Sequence, residues 1–183
     1  MTAYLGAVHR LLAPLGIALT LLVVLANWLA ARYVVHVPFT PYVAPAGVFC
    51  IGAVLVIRDW MQQSVGLART MAAVYVAGVL SFAIGELAGW TPLQRVALGS
   101  IAAFTVSETL EAIVFTPLRS RSLGSAVALS ATVGNAIDSL IFLTIAFGST
   151  AFFWGQFWGK TEAIAVGVVL TLARRRLVLV SSV

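Results

Sequence analysis

The chain has 183 residues, 61% of them hydrophobic and only 9% charged, with a formal net charge of +5. Soluble domains carry roughly 25% charged residues, so the composition sets aside a water-soluble enzyme or binding module. It points instead to a polytopic membrane protein forming a single membrane domain over residues 1–183. The basic residues stand at the ends of apolar segments rather than in one cluster, which argues against a nucleic-acid surface and makes them topology signals.

Six apolar segments can be marked in order, and each reads as a helix because an open chain in lipid must satisfy its own backbone. The first covers about Leu11–Val35, with Pro14 tolerated in its opening turn. Its charge-free run is longer than the roughly 7–15 residues of a signal-peptide core, so it is expected to be retained. His9 and His36 flank it as interfacial polar residues, and the connector HVPFTPYVAP reads as a proline-rich loop able to dip back toward the membrane.

The second segment, Val43–Ile57, is short of the roughly 20 residues that span a bilayer unless it runs on to Gly66. That continuation sets Asp59, Gln62 and Gln63 on one face, since positions three and four apart are neighbours on a helix. The third is Thr70–Leu87, closing near Glu86, a solvated interfacial acid, and the turn-like stretch from Gly89 to Pro92. The fourth, Val96–Thr116, carries Ser107, Glu108 and Glu111.

The fifth, Leu123–Phe147, carries Asn135, Asp138 and Ser139 on one face of an otherwise oily rod. Trp154 and Trp158 then suit a membrane interface, before a sixth segment at about Gly159–Leu172 that ends in Arg174, Arg175 and Arg176. With both termini cytoplasmic, eight of the eleven basic residues lie inside, as the positive-inside rule requires.

That topology sets approximate depths. Asn27 falls in the outer half of the first helix and Lys160 near the outer surface at the start of the sixth. Asn135 and Asp138 lie near the middle of the fifth, Glu108 near the middle of the fourth, and Glu111 and then Asp59 toward the cytoplasm. A carboxylate at the centre of a membrane helix costs about 2.5–3.5 kcal/mol on insertion scales. An interhelical hydrogen bond returns only about 0.6 kcal/mol on average. Several acids in so small a bundle therefore point to function.

Cys50 stands alone, so no disulfide framework or metal-ligand spacing exists. No P-loop, dinucleotide fingerprint or HExxH motif occurs, and no cofactor is called for. Asp59 and Asp138 could share a proton as a protease dyad does, and acids can line a cation channel; neither reading has a supporting motif. Acids, amides and aromatic rings facing one cavity fit a planar, hydrogen-bonding solute. A carboxylate offers two acceptors to paired N–H donors such as the edge of a guanine base. Asn135, Gln62 or Gln63 can meet its carbonyl, and Phe49, Phe115 or Phe142 can stack on its face.

The same residues carry a family resemblance. ANWLA from Ala26, AGVFCIGAVLVIRDWMQQSVG from Ala46, SETLEAIVF from Ser107, GNAIDSLIFLTIAF from Gly134 and GQFWGK from Gly155 resemble the motifs of the vitamin uptake transporter family. Its best-known members are queuosine precursor transporters. The resemblance implies a six-helix inner-membrane importer of deazaguanine precursors bearing nitrile or aminomethyl groups. Its implied motif residues are Asn27, Asp59, Glu111, Asn135, Asp138 and Lys160. The chain departs from the family pattern at Arg58, Gln63 and Glu111.

The resulting expectation is an all-α bundle of six transmembrane helices acting as a secondary transporter. Its partners are a small-molecule deazaguanine and the lipid bilayer, without direct contact to nucleic acid, and homo-oligomerisation is left open. The candidate substrate-binding set is Asn27, Asp59, Gln62, Gln63, Glu108, Glu111, Asn135, Asp138, Ser139, Phe142 and Lys160. In it Asp138 and Glu111 grip the donor edge together, and Asp59 serves as an inner gate or proton site. The alternative is the substrate-binding membrane subunit of an energy-coupling vitamin transporter, which needs an ATPase partner.

Overall fold

The computed structural model describes residues 2–118, 120 and 123–181. They form six α-helices, α1 (Thr2–Arg32), α2 (Ile51–Val65), α3 (Leu67–Leu87), α4 (Thr91–Leu118), α5 (Leu123–Phe147) and α6 (Phe153–Ser181). Two short strands, β1 (Val34–His36) and β2 (Val43–Pro45), and a 3-10 segment at Ala46–Cys50 lie between α1 and α2. This is an all-α polytopic membrane architecture. Among the described residues four stretches are long and apolar enough to cross a membrane, namely Pro14–Arg32, Leu67–Leu87, Thr91–Leu118 and Leu129–Phe147.

The second segment departs from a plain helix. Val43–Pro45 is extended and pairs antiparallel with β1, Val34 opposite Pro45 and His36 opposite Val43. Proline lacks the N–H that continues a helix, and Pro38, Pro41 and Pro45 crowd this connector. What the sequence reads as a loop is thus a hairpin, with Val37, Ala44 and Val48 buried beneath it. Its tip exposes Phe39 fully, in a left-handed conformation (φ 58°). Helix α2 has only 15 residues, and the preceding 3-10 segment brings the helical run close to spanning length.

Gly66 alone separates α2 from α3. Its φ of 85° lies where a side chain is disfavoured, and its N–H still bonds the Gln62 carbonyl at 2.9 Å. One helix thereby ends and the next begins across a single residue. Helix α4 begins earlier than the apolar pattern indicates because Pro92 is suited to a first turn, so Thr91–Gln94 is helical although polar.

The largest difference from the sequence reading is at α6, which starts at Phe153 rather than near Gly159. The interfacial tryptophans Trp154 and Trp158 lie on its opening turns, where Phe153 and Phe157 stack at 6.1 Å between centroids. Lys160 is therefore about two turns, roughly 10 Å, inside the helix instead of at its outer end. It is 6% exposed.

Small residues let the backbones approach, as is common between membrane helices. A side chain at Gly47 would strike the Ala26 carbonyl, one at Gly52 the Ala163 carbonyl, and one at Gly155 the Val43 carbonyl. Leu19, Val23, Val54, Met61, Val74 and Ala77 join α1, α2 and α3 in one apolar cluster. Phe142, Leu143 and Ala146 of α5 join Val96 and Ala103 of α4 and Ala30 of α1 in another. Helices α4 and α5 form the most extensive helix pair.

Candidate functional site

The site begins with an ion pair inside the bundle. Lys160 of α6 donates to the Asp138 carboxylate of α5, their side chains 7% and 22% exposed. Removing either partner would leave a buried charge uncompensated, which typically costs about 3–5 kcal/mol. Further hydrogen bonds fix the pair. Lys160 Nζ donates to Ser139 Oγ at 3.5 Å, and Ser139 in turn donates to Asn135 Oδ1 at 3.4 Å. Asn135 Nδ2 donates to the Phe157 carbonyl at 3.1 Å and to Thr161 Oγ1 at 3.3 Å, tying α5 to α6.

Asp138 and Lys160 face a cavity of about 90 Å³. Asn27 enters it from α1, Phe104 and Ser100 from α4, Phe142 from α5 and Gln156 from α6. The spacings explain why: Asp138 and Phe142, Ser100 and Phe104, and Gln156 and Lys160 are each four apart and so share a face. Asn27 is buried and donates to Ser81 Oγ on α3 at 3.1 Å. The cavity is mostly apolar with a few convergent polar groups, the usual makeup of a small-molecule site.

A second group of polar residues borders a wider groove of about 510 Å³ on the side the charge count assigns to the cytoplasm. Gln62 of α2, Glu108 and Glu111 of α4 and Ser130 of α5 line it. Glu108 pairs with Arg58 of α2, the side chains 25% and 15% exposed. The Arg58 guanidinium lies 6.0 Å from the Phe104 ring centroid. Phe104 and Glu108 are one turn apart on α4, so this pair and its ring stand between cavity and groove.

The residues expected at one site are thus arranged on two levels. Asn27, Asp138, Phe142 and Lys160 meet in the cavity, with Ser139 and Asn135 holding the pair from behind. Gln62, Glu108 and Glu111 belong to the groove. Of the two acids expected to grip the donor edge, Asp138 lines the cavity and Glu111 the groove. The Glu111 side chain rests on the bare backbone of Gly134, where a methyl group would collide with its carboxylate, one turn from Asp138 on α5. The side chains of Asp59 and Gln63 lie outside the described residues.

Gln156 is not singled out by the sequence pattern, which begins the sixth segment three residues later. It is 4% exposed, and its Oε1 is buried without a hydrogen-bond partner among the described residues. The available signal was its position four before Lys160. Among the described residues no cluster of three or more His, Cys, Asp or Glu is placed to hold a metal ion.

A helical bundle with long apolar spans that turns charged, amide and aromatic side chains into one cavity is a polytopic membrane protein with an internal polar site. The family described as "putative vitamin uptake transporter" matches residues 8–175, and the chain belongs to that family. No curated protein and no solved structure matches the chain.

Proposed function

We propose that the protein is an importer of deazaguanine precursors of queuosine across the inner membrane, working as a secondary transporter rather than an enzyme, with the whole chain as one transport domain. The observation that carries this reading is the cavity around Asp138. It combines an acidic acceptor, a basic donor, two amides and the rings of Phe104 and Phe142 in otherwise apolar walls. A guanine-type base is planar and nearly neutral, with a ring N–H and an exocyclic amine beside a carbonyl. Its ring N–H matches a carboxylate acceptor, its carbonyl matches Lys160 or Asn27, and its faces match the phenylalanines.

The ion pair has a role in this scheme. With no solute present, Lys160 neutralises Asp138 in a region that tolerates no isolated charge. An arriving base offers its ring N–H to Asp138 and an acceptor to Lys160, so both groups exchange one partner for another and the net charge stays zero. Pockets that hold drug-sized ligands run to roughly 300–1,000 Å³, well above the 90 Å³ here. Binding therefore widens the cavity. Release inward requires Phe104 to swing aside and the Arg58–Glu108 pair to part, giving access to the groove below.

Uptake of a labelled precursor by cells lacking their own transporter tests the reading. Uptake by this chain expressed alone supports it. Tight binding by purified protein without uptake supports the second reading, the binding subunit of an energy-coupling transporter. Absence of both removes the deazaguanine assignment.

A further inference from the structure

Gln156 is a group of the cavity wall whose bonding is incomplete among the described residues. Every other polar side chain that shapes the ion pair has a partner: Asp138 and Lys160 hold each other, Ser139 bridges to Asn135, and Asn27 donates to Ser81. Gln156 Oε1 is buried in the cavity wall and accepts nothing from the described residues. An unmade hydrogen bond to a buried acceptor carries a desolvation penalty, and such orphaned groups in native structures call for an explanation.

Its mounting is rigid. Gly155 packs directly on the Val43 carbonyl of β2, and the Gln156 backbone N–H bonds the Phe152 carbonyl at 2.8 Å. The side chain is therefore held at the outer end of the cavity, one turn beyond Lys160 on the same face of α6.

Resting on the transport reading above, we infer that Gln156 is the specificity-determining residue that accepts the exocyclic amine of the base through Oε1, so that the protein tells amine-bearing bases from those carrying hydrogen at that position. Asp138 then takes the ring N–H, and Lys160 or Asn27 donates to the carbonyl. The division follows from geometry: Gln156 and Lys160 are a helical turn apart, about 5.4 Å, comparable to the width of a six-membered ring with its substituents. A base lacking the amine leaves Oε1 as bare as it is in the empty cavity. A site built to bond a particular N–H rejects the analogue without it far more strongly than an apolar pocket does.

The test is a comparison of 7-deazaguanine with 7-deazahypoxanthine, which differ by that one amine, for binding to the purified full chain by calorimetry. Wild type is expected to prefer the amine compound by about tenfold or more. Gln156→Met, of similar size but without an acceptor, is expected to bring the two affinities within about twofold of each other. Gln156→Glu, which keeps an acceptor, retains the preference. If Gln156→Met weakened both compounds equally and preserved their ratio, Gln156 would be a packing residue and the inference wrong. Should that variant fail to fold, loss of the preference in Gln156→Glu would overturn it just as well. Wild-type protein that binds both compounds equally refutes the role of Gln156 alone, whereas wild-type protein that binds neither removes the transport reading with it.

Discussion

Two intramembrane ion pairs among the described residues are built differently. Lys160–Asp138 is more deeply buried and is backed by a relay through Ser139 and Asn135 that reaches the α6 backbone. Arg58–Glu108 is more exposed, borders a wide groove and leans on a ring that can rotate. A charge held by a fixed shell is preorganised, which lowers the cost of ordering the site around a solute. A charge pair at the rim of a groove is easier to part, since water stands ready to solvate both ions. On the proposed transport reading, the contrast assigns binding to the first pair and the opening toward the groove to the second.

The sharpest way to break that contrast is at Asp138. Asp138→Ala is expected to abolish uptake and to lower stability by about 3–5 kcal/mol, the cost of an unpaired buried charge, read as a fall in melting temperature in detergent. The double variant Asp138→Asn with Lys160→Met should recover much of the stability without uptake. Recovery of uptake as well would mean the pair is only structural. Next in size is Glu108→Gln. It should change the initial rate of uptake by about tenfold, one factor of 1.4 kcal/mol, while leaving equilibrium binding within about threefold. Parallel losses of binding and uptake would erase the distinction between the two pairs.

Gly134→Ala tests the step between the levels. The new methyl group intrudes on the Glu111 carboxylate, and overpacking of this kind costs about 1–3 kcal/mol. Uptake should fall further than binding of solute to the cavity. The smallest effect is expected for Ser81→Ala, which removes the acceptor of Asn27; interhelical hydrogen bonds in membranes average about 0.6 kcal/mol. A melting shift beyond a few degrees would show that Asn27 is more than a tether.

Much of this arrangement was legible in the sequence. Helix α5 matches its expected bounds, Leu123–Phe147, because an uninterrupted apolar run bounded by arginines and Gly148 leaves little choice. The polar face of Asn135, Asp138 and Ser139 follows from helical spacing alone. What could not be read was the partner of each charge, since pairing across 22 residues (Lys160 with Asp138) or 50 (Arg58 with Glu108) depends on how helices rotate against each other. The onset of α6 was hidden for another reason. Tryptophan and glycine near an interface suit a loop as well as a first turn, and only the packing of Gly155 on β2 decides between them. That single boundary is why Lys160 was placed at the surface and Gln156 overlooked.

The glycine contacts at positions 47, 52 and 155 have a mechanical consequence. They clamp the 3-10 segment to α1, α2 to α6, and α6 to the hairpin, backbone against backbone, so these elements have no side-chain cushion along which to slide. Helices α4 and α5 form the opposing block through their long mutual interface. The seam between the blocks is polar where it matters, joined by Asn135, Asp138 and Lys160 across α5 and α6. A solute that replaced some of those bonds would act on the contact between α5 and α6 while the glycine clamps on α6 stayed in place.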